Sequence, residues 1–282
     1  MSFMKSKIAS KFASLLALIL ITQRTLLAAE IWPGEKLDTW NGYVRHKFQV
    51  DGCEAWVVEP KVELSGKPWT WTMEFPDAFT ERTGVLQLLE KGFHHVYLNV
   101  GNTFGCPSAV KHFDAFYKVL VDGGLSRKAA LIGISRGGLY CYNFAVEDPS
   151  RVACIYGDAA VCDFKSWPGG KGKGTGSPGD WKSLIPLYGF KDEAEAMNFK
   201  GNPVDSLAPL AAAGIPIIHV VGDADTAVVP QENGLLVEER YKKMGGKISV
   251  INKPGCGHHP HGLDNPQPVV DFILKATLSP SR

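Results

Sequence analysis

Hydrophobic residues after position 30 follow two alternating patterns. Runs that are apolar throughout, or apolar at every second position, predict strands, and runs with apolar residues three or four apart predict helices. The predicted strands are 46–60, interpreted as a hairpin of two, then 67–75, 94–100, 128–134, 152–158, 215–223 and 247–253. The predicted helices are 82–92, 108–124, 137–147, 231–244 and 267–278.

This order of elements predicts a fold of the α/β class. Strands that alternate with helices indicate a mostly parallel sheet with helices on both faces. The pair Asp51–Gly52 between the first two strands favours a tight antiparallel turn. We therefore expect an eight-stranded, mostly parallel sheet that begins with an N-terminal antiparallel hairpin. Residues 30–282 should form a single domain, because this length fits one large core.

The first 29 residues have a different composition. Three lysines within the first eleven residues precede the apolar run 12–21, and the small pair Ala28–Ala29 follows it. This order is typical of a secretory signal peptide, which we expect to span 1–29 and to place the protein in a secreted or periplasmic location. A membrane-tethered N-terminus is the alternative. No later stretch reaches about 18 apolar residues, so we expect no stable membrane insertion after cleavage.

Composition and charge exclude some classes of partner. The 282 residues are 45% hydrophobic and carry a formal net charge of +1, which disfavours nucleic acid or an anionic membrane as a general partner. The oligomeric state stays open. Export would permit disulfides, but the sequence does not fix a pairing. The cysteines lack the spacing of a structural zinc site. They are Cys53, Cys106, Cys141, Cys154, Cys162 and Cys256.

One long segment interrupts the alternation of strands and helices. Residues 163–190 are rich in glycine, lysine and tryptophan, and long insertions of this kind are often lids or binding loops. A solvated loop is the alternative interpretation. Trp167 and Trp181 argue against plain disorder. Because indole faces stack on sugar rings and lysines attract acidic polymers, we expect the two tryptophans to contact a carbohydrate substrate.

The strongest chemical motif lies where a predicted strand meets a predicted helix. Gly133–Ile134–Ser135–Arg136–Gly137 matches G-x-S-x-G, which in this context marks a nucleophilic serine on a sharp turn. The flanking positions must be small because the turn leaves no space for side chains. The helix N-terminus beneath Ser135 favours negative charge that develops there.

A serine nucleophile needs a base and an orienting acid. The loop after the strand 215–223 offers Asp225, which lies further out in the loop than its competitor Asp223. After the next strand, "GCGHHPHG" offers three histidines as candidates for the base. Three histidines in four positions also fit a metal site, but no acidic run or helical spacing supports one, so we expect no metal. The histidines are His258, His259 and His261.

The chain resembles the α/β-hydrolase superfamily, in its esterase and prolyl-oligopeptidase-like branch. The resemblance covers roughly residues 45–278 and is carried by "GISRGG", "GDADTAVVP" and "GCGHHPHGLDNPQPVVDFI" in that order. It implies Ser135 as nucleophile, Asp225 as acid and His258 as base, with His259 as second choice. It also implies acyl transfer without a metal or organic cofactor.

The same resemblance implies an oxyanion hole with two backbone donors. One is the N–H of Arg136, directly after the nucleophile. The other comes from the loop after the third strand, where this chain lacks the superfamily's HG motif and offers Glu74 or Phe75. The loop "GNTFG", which includes Asn102, should line the same edge and shape the pocket.

The substrate is the least determined part of the prediction. The arginine after the nucleophile is similar to that of glucuronoyl esterases, so the Arg136 side chain is a candidate for binding a carboxylate or a sugar hydroxyl, with a structural ion pair as the alternative. We expect an exported serine esterase that acts on carbohydrate esters, acetyl esters above all. Alternatives are a small-molecule carboxylesterase, a prolyl-oligopeptidase-like peptidase and a catalytically silent carbohydrate-binding protein.

Overall fold

The computed structural model describes residues 31–278. The predicted signal peptide, 1–29, lies outside the described residues and stays a prediction. The strands of the described part are β1 (Lys36–Trp40), β2 (Tyr43–Val50), β3 (Cys53–Val58), β4 (Trp69–Thr72), β5 (His94–Leu98), β6 (Ala129–Ile134), β7 (Val152–Asp158), β8 (Ile217–Gly222) and β9 (Ile248–Lys253).

Helices connect most of these strands. They are α1 (Val85–Glu90), α2 (Pro107–Asp122), α3 (Gly137–Glu147), α4 (Pro178–Leu187), α5 (Glu193–Asn198), α6 (Ala208–Ala212), α7 (Gly234–Lys243) and α8 (Gln267–Leu278). None of the helices between residues 31 and 278 is long and apolar enough to cross a membrane.

The strands form one mixed sheet in the order β1-β2-β3-β5-β4-β6-β7-β8-β9. All pairs from β5 through β4 to β9 are parallel, whereas β1, β2, β3 and β5 pair in antiparallel fashion. The expected mostly parallel sheet with an antiparallel N-terminal part is therefore confirmed. The expected number of eight strands is wrong for residues 31–278, because β1 adds a ninth.

Strand β1 escaped prediction for a physical reason. It lies at the edge of the sheet, and four of its five residues are exposed, with only Trp40 buried. Such a strand has no buried face to impose an apolar pattern on its sequence. The turn at Asn41 and Gly42, both with positive φ, folds β1 back onto β2, so tertiary pairing defines the strand.

Two apolar cores lie on opposite faces of the sheet, as the prediction of helices on both faces requires. One core joins α2, α3, α6 and α7 to the sheet and centres on Trp71, which packs edge-on against Phe113, Phe116 and Phe144. The other core joins α1 and α8 to the opposite face. The sheet is thus covered on both sides, and its chemistry is restricted to the ends of the strands.

Part of the insertion at 163–190 packs against the domain. It contains α4, and its Phe164 is fully buried within an aromatic cluster. The other rings of that cluster are Trp181, Tyr188, Phe190 and Phe199. Trp181 is also buried, and the other three rings are half-buried. The glycine- and lysine-rich composition concealed this packed aromatic cluster.

A buried histidine ties the N-terminal segment to the sheet. The His46 Nδ1 lies 2.6 Å from Glu35 Oε2, and its Nε2 lies 3.2 Å from Glu59 Oε1. The Glu59 and Glu35 carboxylates raise the pKa of His46 above its ordinary value, although burial opposes the shift. In its protonated form the ring pairs with both carboxylates and stabilises the fold.

We expect this contribution to depend on pH. Because the pKa of His46 is higher in the folded state, the stabilisation is complete below the unfolded pKa of about 6.5 and disappears as the pH rises through the folded pKa. In chemical denaturation at a series of pH values, His46→Gln should be less stable than wild type in mild acid and should approach wild type as the pH rises. A difference that grows with pH would contradict this assignment.

Candidate active site

Ser135 lies on the sharp turn between β6 and α3. Its φ of 51° is in the left-handed region, which is uncommon for a residue with a side chain. Backbone hydrogen bonds hold this conformation, because the Ser135 N–H donates to Asp158 O at 2.9 Å and the Ser135 carbonyl accepts from Val161 at 2.8 Å. The hydroxyl is thereby held at the carboxyl end of the sheet.

Two glycines make this turn possible. A Cβ at Gly133 would lie 2.9 Å from both Cys141 Sγ and the Gly137 carbonyl, and one at Gly138 would lie 2.5 Å from the Val161 carbonyl. These distances are shorter than van der Waals contact, so strand and helix can approach only where side chains are missing. Gly133, the first glycine of G-x-S-x-G, and Gly138, which directly follows the motif, therefore have a steric cause in this chain.

The structure brings Ser135, His258 and Asp225 together. His258 Nε2 lies 3.0 Å from Ser135 Oγ, and His258 Nδ1 lies 2.7 Å from Asp225 Oδ2. These three residues come from the ends of β6, β9 and β8, and 123 positions separate Ser135 from His258 in the chain. The arrangement can move a proton from the hydroxyl to an imidazole that a carboxylate orients.

Asp225 rather than Asp223 contacts the histidine. The Asp225 side chain is 1% exposed, and its Oδ1 accepts hydrogen bonds from the backbone of Ala227 and Val228, both at 2.9 Å. Burial would raise the pKa of Asp225, but the hydrogen bond from His258 and the two backbone donors lower it below its ordinary value. The acid is thus held ionised beside the imidazole.

Asp223 has a different position in the same loop. Its Oδ1 accepts from the backbone N–H of Gly255 at 2.6 Å, and its Oδ2 accepts from Asn252 at 3.2 Å. It therefore joins the loops that follow β8 and β9. The second-choice base, His259, is exposed and stacks on Phe79 at 6.1 Å.

The loop after β4 lies beside the serine turn, where an oxyanion hole was predicted. A Cβ built on Gly137 would lie 3.2 Å from Glu74 Cβ and 3.7 Å from Glu74 N. Within residues 31–278, the backbone N–H groups of Arg136, Glu74 and Phe75 donate no hydrogen bond. These donors remain available to an oxygen atom of a ligand bound beside the turn at Ser135.

The Arg136 side chain forms the ion pair that was the alternative to substrate binding. Its Nε and Nη2 donate to Glu74 Oε1 at 2.9 and 2.7 Å, and its guanidinium lies over the rings of Phe75 and Phe104. Burial raises the pKa of Glu74, and the contacts with Arg136 oppose that shift. The pair connects the serine turn to the loop that carries the second predicted oxyanion donor.

The residues that were predicted to contact the substrate differ in their exposure. Trp181 is only 6% exposed and packs against Phe164, so its expected role as an open platform for sugar is wrong: helix α4 turns its indole into the core. Trp167 is half-buried and lies beside Phe104, near Arg136. Asn102 is exposed and donates to Asp180 at 3.3 Å.

A second buried carboxylate lies beside the triad and was not singled out by the sequence. Asp158 is fully buried at the end of β7 and accepts hydrogen bonds from Tyr156 Oη at 2.7 Å and from the Gly262 N–H at 2.9 Å. Its Oδ1 lies 2.7 Å from His261 Nδ1. The available signal was an acidic residue at the end of a predicted buried strand.

Comparisons with known proteins identify the architecture. No family model matches the sequence, and no curated protein matches it. Among solved structures, acetyl xylan esterase 1 from Thermoanaerobacterium sp. JW/SL YS485 aligns with a TM-score of 0.57 and 16% identity, over 86% of this chain and 88% of the esterase. Dipeptidyl peptidase 4 from Porphyromonas gingivalis aligns with a TM-score of 0.61 and 13% identity, over 86% of this chain.

The chain has the α/β-hydrolase fold. The uncomplexed acylaminoacyl peptidase from Pyrococcus horikoshii also aligns with this fold, with a TM-score of 0.61 and 12% identity over 93% of the chain. The hydrolase-fold chain spans well under two thirds of these peptidases, 35% of dipeptidyl peptidase 4 and 44% of the acylaminoacyl peptidase.

The glycine at position 133 of the α/β-hydrolase elbow provides a steric test. Gly133→Ala should lower the free energy of unfolding by about 1–3 kcal/mol, because the added methyl group overlaps backbone and sulfur atoms. Gly179→Ala is the matched control, since a Cβ there meets nothing within 4 Å. Chemical denaturation should find the control as stable as wild type or slightly more stable. Equal losses in both variants would contradict the steric explanation.

Proposed function

We propose that the protein is a serine hydrolase that cleaves carboxylic esters through an acyl-enzyme. The observation that carries this proposal is the continuous hydrogen-bond chain from Ser135 Oγ through His258 to the ionised Asp225. A strained serine with a base and a buried acid in this order is the arrangement that nucleophilic acyl transfer requires. An intact chain of this kind argues against a catalytically silent binding protein.

His258 acts first as base and then as acid in this mechanism. Its Nε2 takes the proton of Ser135 Oγ as the hydroxyl attacks the ester carbonyl, and it then returns the proton to the leaving alcohol. Asp225 fixes the imidazole tautomer and stabilises the imidazolium. Water activated by the same imidazole hydrolyses the acyl-enzyme and releases the acid.

Backbone donors stabilise the tetrahedral intermediate. The Arg136 N–H and one N–H of the Glu74–Phe75 segment are the two donors, each worth on the order of 3 kcal/mol. The Arg136–Glu74 ion pair fixes the distance between them, because it joins the turn that carries one donor to the loop that carries the other. The Arg136 side chain is thus a positioning group for the oxyanion hole.

We place the substrate among acetylated carbohydrates that an exported enzyme meets outside the cytoplasm. Support comes from the similarity to acetyl xylan esterase 1, whose length the chain mostly matches. The half-buried Trp167 beside Phe104 offers one aromatic surface near the nucleophile. Export rests on the signal-peptide pattern of residues 1–29.

A peptidase is the second candidate. The similarity in fold to dipeptidyl peptidase 4 and to acylaminoacyl peptidases favours it. The two candidates share the triad chemistry and differ in the leaving group. Turnover of peptide nitroanilides with negligible release of acetate from acetylated xylan would favour the peptidase, and the reverse would favour the esterase.

Ser135→Ala tests the mechanism. Loss of the nucleophile should reduce hydrolysis of p-nitrophenyl acetate at least about 10⁴-fold, because the remaining groups cannot form an acyl-enzyme. Ser183→Ala is the control, since this hydroxyl only donates to the Gly179 carbonyl on α4, and its turnover should equal that of wild type. Equal rates for Ser135→Ala and wild type would exclude the serine mechanism.

Arg136→Lys tests the positioning role of the ion pair. An ammonium cannot make both contacts of the guanidinium with Glu74, so the loop with the second donor should shift and kcat should fall about 10- to 100-fold. We expect KM and the melting temperature to change little. Arg240→Lys, at an ion pair with Asp205, should leave both kinetic constants unchanged. A rise in KM alone would instead assign Arg136 to substrate binding.

A further inference from the structure

Three imidazole rings lie close together beside the Ser135–His258–Asp225 triad. The rings of His258, His259 and His261 have centroids 4.8–5.0 Å apart and lie nearly perpendicular to one another. One ring nitrogen from each lies within 4.8 Å of the others. The sequence offered no helical spacing for such a cluster. The loop after β9, which bends at His258 and at Pro260, brings the three rings together.

Buried carboxylates orient two of the three rings. Asp225 holds Nδ1 of His258, and Asp158 holds Nδ1 of His261, both at 2.7 Å. Histidines that bind a metal commonly donate the other ring N–H to a carboxylate, which fixes the tautomer and makes the coordinating nitrogen more basic. In this chain the second nitrogen, Nε2, makes no hydrogen bond in His261 and contacts Ser135 Oγ at 3.0 Å in His258.

Few hydrogen bonds occupy the nitrogens that would coordinate the metal, although His261 itself is buried. Within residues 31–278, His261 Nε2 and both ring nitrogens of His259 make no hydrogen bond, and His258 Nε2 contacts only Ser135 Oγ. His259 is exposed, so a cation can enter from solvent and this ring can rotate toward it. The nitrogens must approach to about 3.4 Å from one another for tetrahedral coordination at about 2.0–2.1 Å.

We propose that His258, His259 and His261 form a Zn²⁺ site that inhibits the enzyme. Three imidazoles with one open position are a ligand set that zinc accepts, and the two carboxylates compensate its charge. Mg²⁺ prefers oxygen ligands and does not fit this set. Zn²⁺ on His258 Nε2 displaces the Ser135 hydroxyl and occupies the lone pair that must accept its proton. The inhibition rests on the proposed function, whereas the binding site does not.

Binding is measured without turnover. Calorimetric titration of Ser135→Ala with Zn²⁺ should find one site per chain, because this variant keeps all three imidazoles and frees His258 Nε2. Adding His259→Gln should weaken binding at least about tenfold, the loss seen when even an outer partner of a metal ligand is removed. The matched control adds His112→Gln, which removes an imidazole that pairs with Asp51, and should bind as tightly as Ser135→Ala alone.

Equal affinity in all three variants, or no binding in Ser135→Ala, would overturn the site. Because Ser135→Ala has no nucleophile, this result is independent of the proposed function.

Inhibition is measured on the intact serine. Zn²⁺ should inhibit p-nitrophenyl acetate hydrolysis by the wild type, Mg²⁺ at the same concentration should not, and a chelator should restore the rate. His259→Gln, compared with its own rate in the absence of metal, should need at least about tenfold more Zn²⁺ for the same inhibition. Equal sensitivity of the variant and the wild type would overturn the inhibitory role.

Discussion

The close approach of β6 to α3 is the constraint on which the rest of the site depends. Backbone and sulfur atoms occupy the space where a side chain at Gly133 would lie, so the chain must reverse there without one. This packing forces Ser135 into left-handed backbone geometry and presents its hydroxyl at the edge of the sheet. The free N–H of Arg136, the first residue of the turn into α3, follows from the same geometry.

Buried carboxylates at this end of the sheet pair with side chains from the turn after β6 and the loop after β9. Asp225, Asp158 and Glu74 are all buried, and each has a cationic or titratable partner in His258, His261 or Arg136. A buried carboxylate without such a partner would be strongly destabilising. The parallel arrangement of β4, β6, β7 and β8 brings these groups to the same end of the sheet, so the fold concentrates polar chemistry in one place.

Much of the architecture could be predicted because it rests on local patterns. Mainly apolar runs such as 128–134 and 215–223 correspond to strands that are buried on both faces. Strand β1 was missed because it lies at the exposed edge. The insertion was misjudged because its buried rings are scattered among glycines and lysines, so Trp181 looked available for a sugar although it packs against Phe164.

The sequence alone determined the type of fold and the nucleophile motif, because steric requirements at a turn and burial in a sheet leave periodic traces in the chain. Only the tertiary structure decided between Asp225 and Asp223 and between His258 and His259. Both members of each pair lie in the same loop, and they differ in the partners that their side chains contact. The same holds for the Asp158–His261 contact, which spans 103 positions. Contacts between distant strand ends depend on sheet order, which no local pattern encodes.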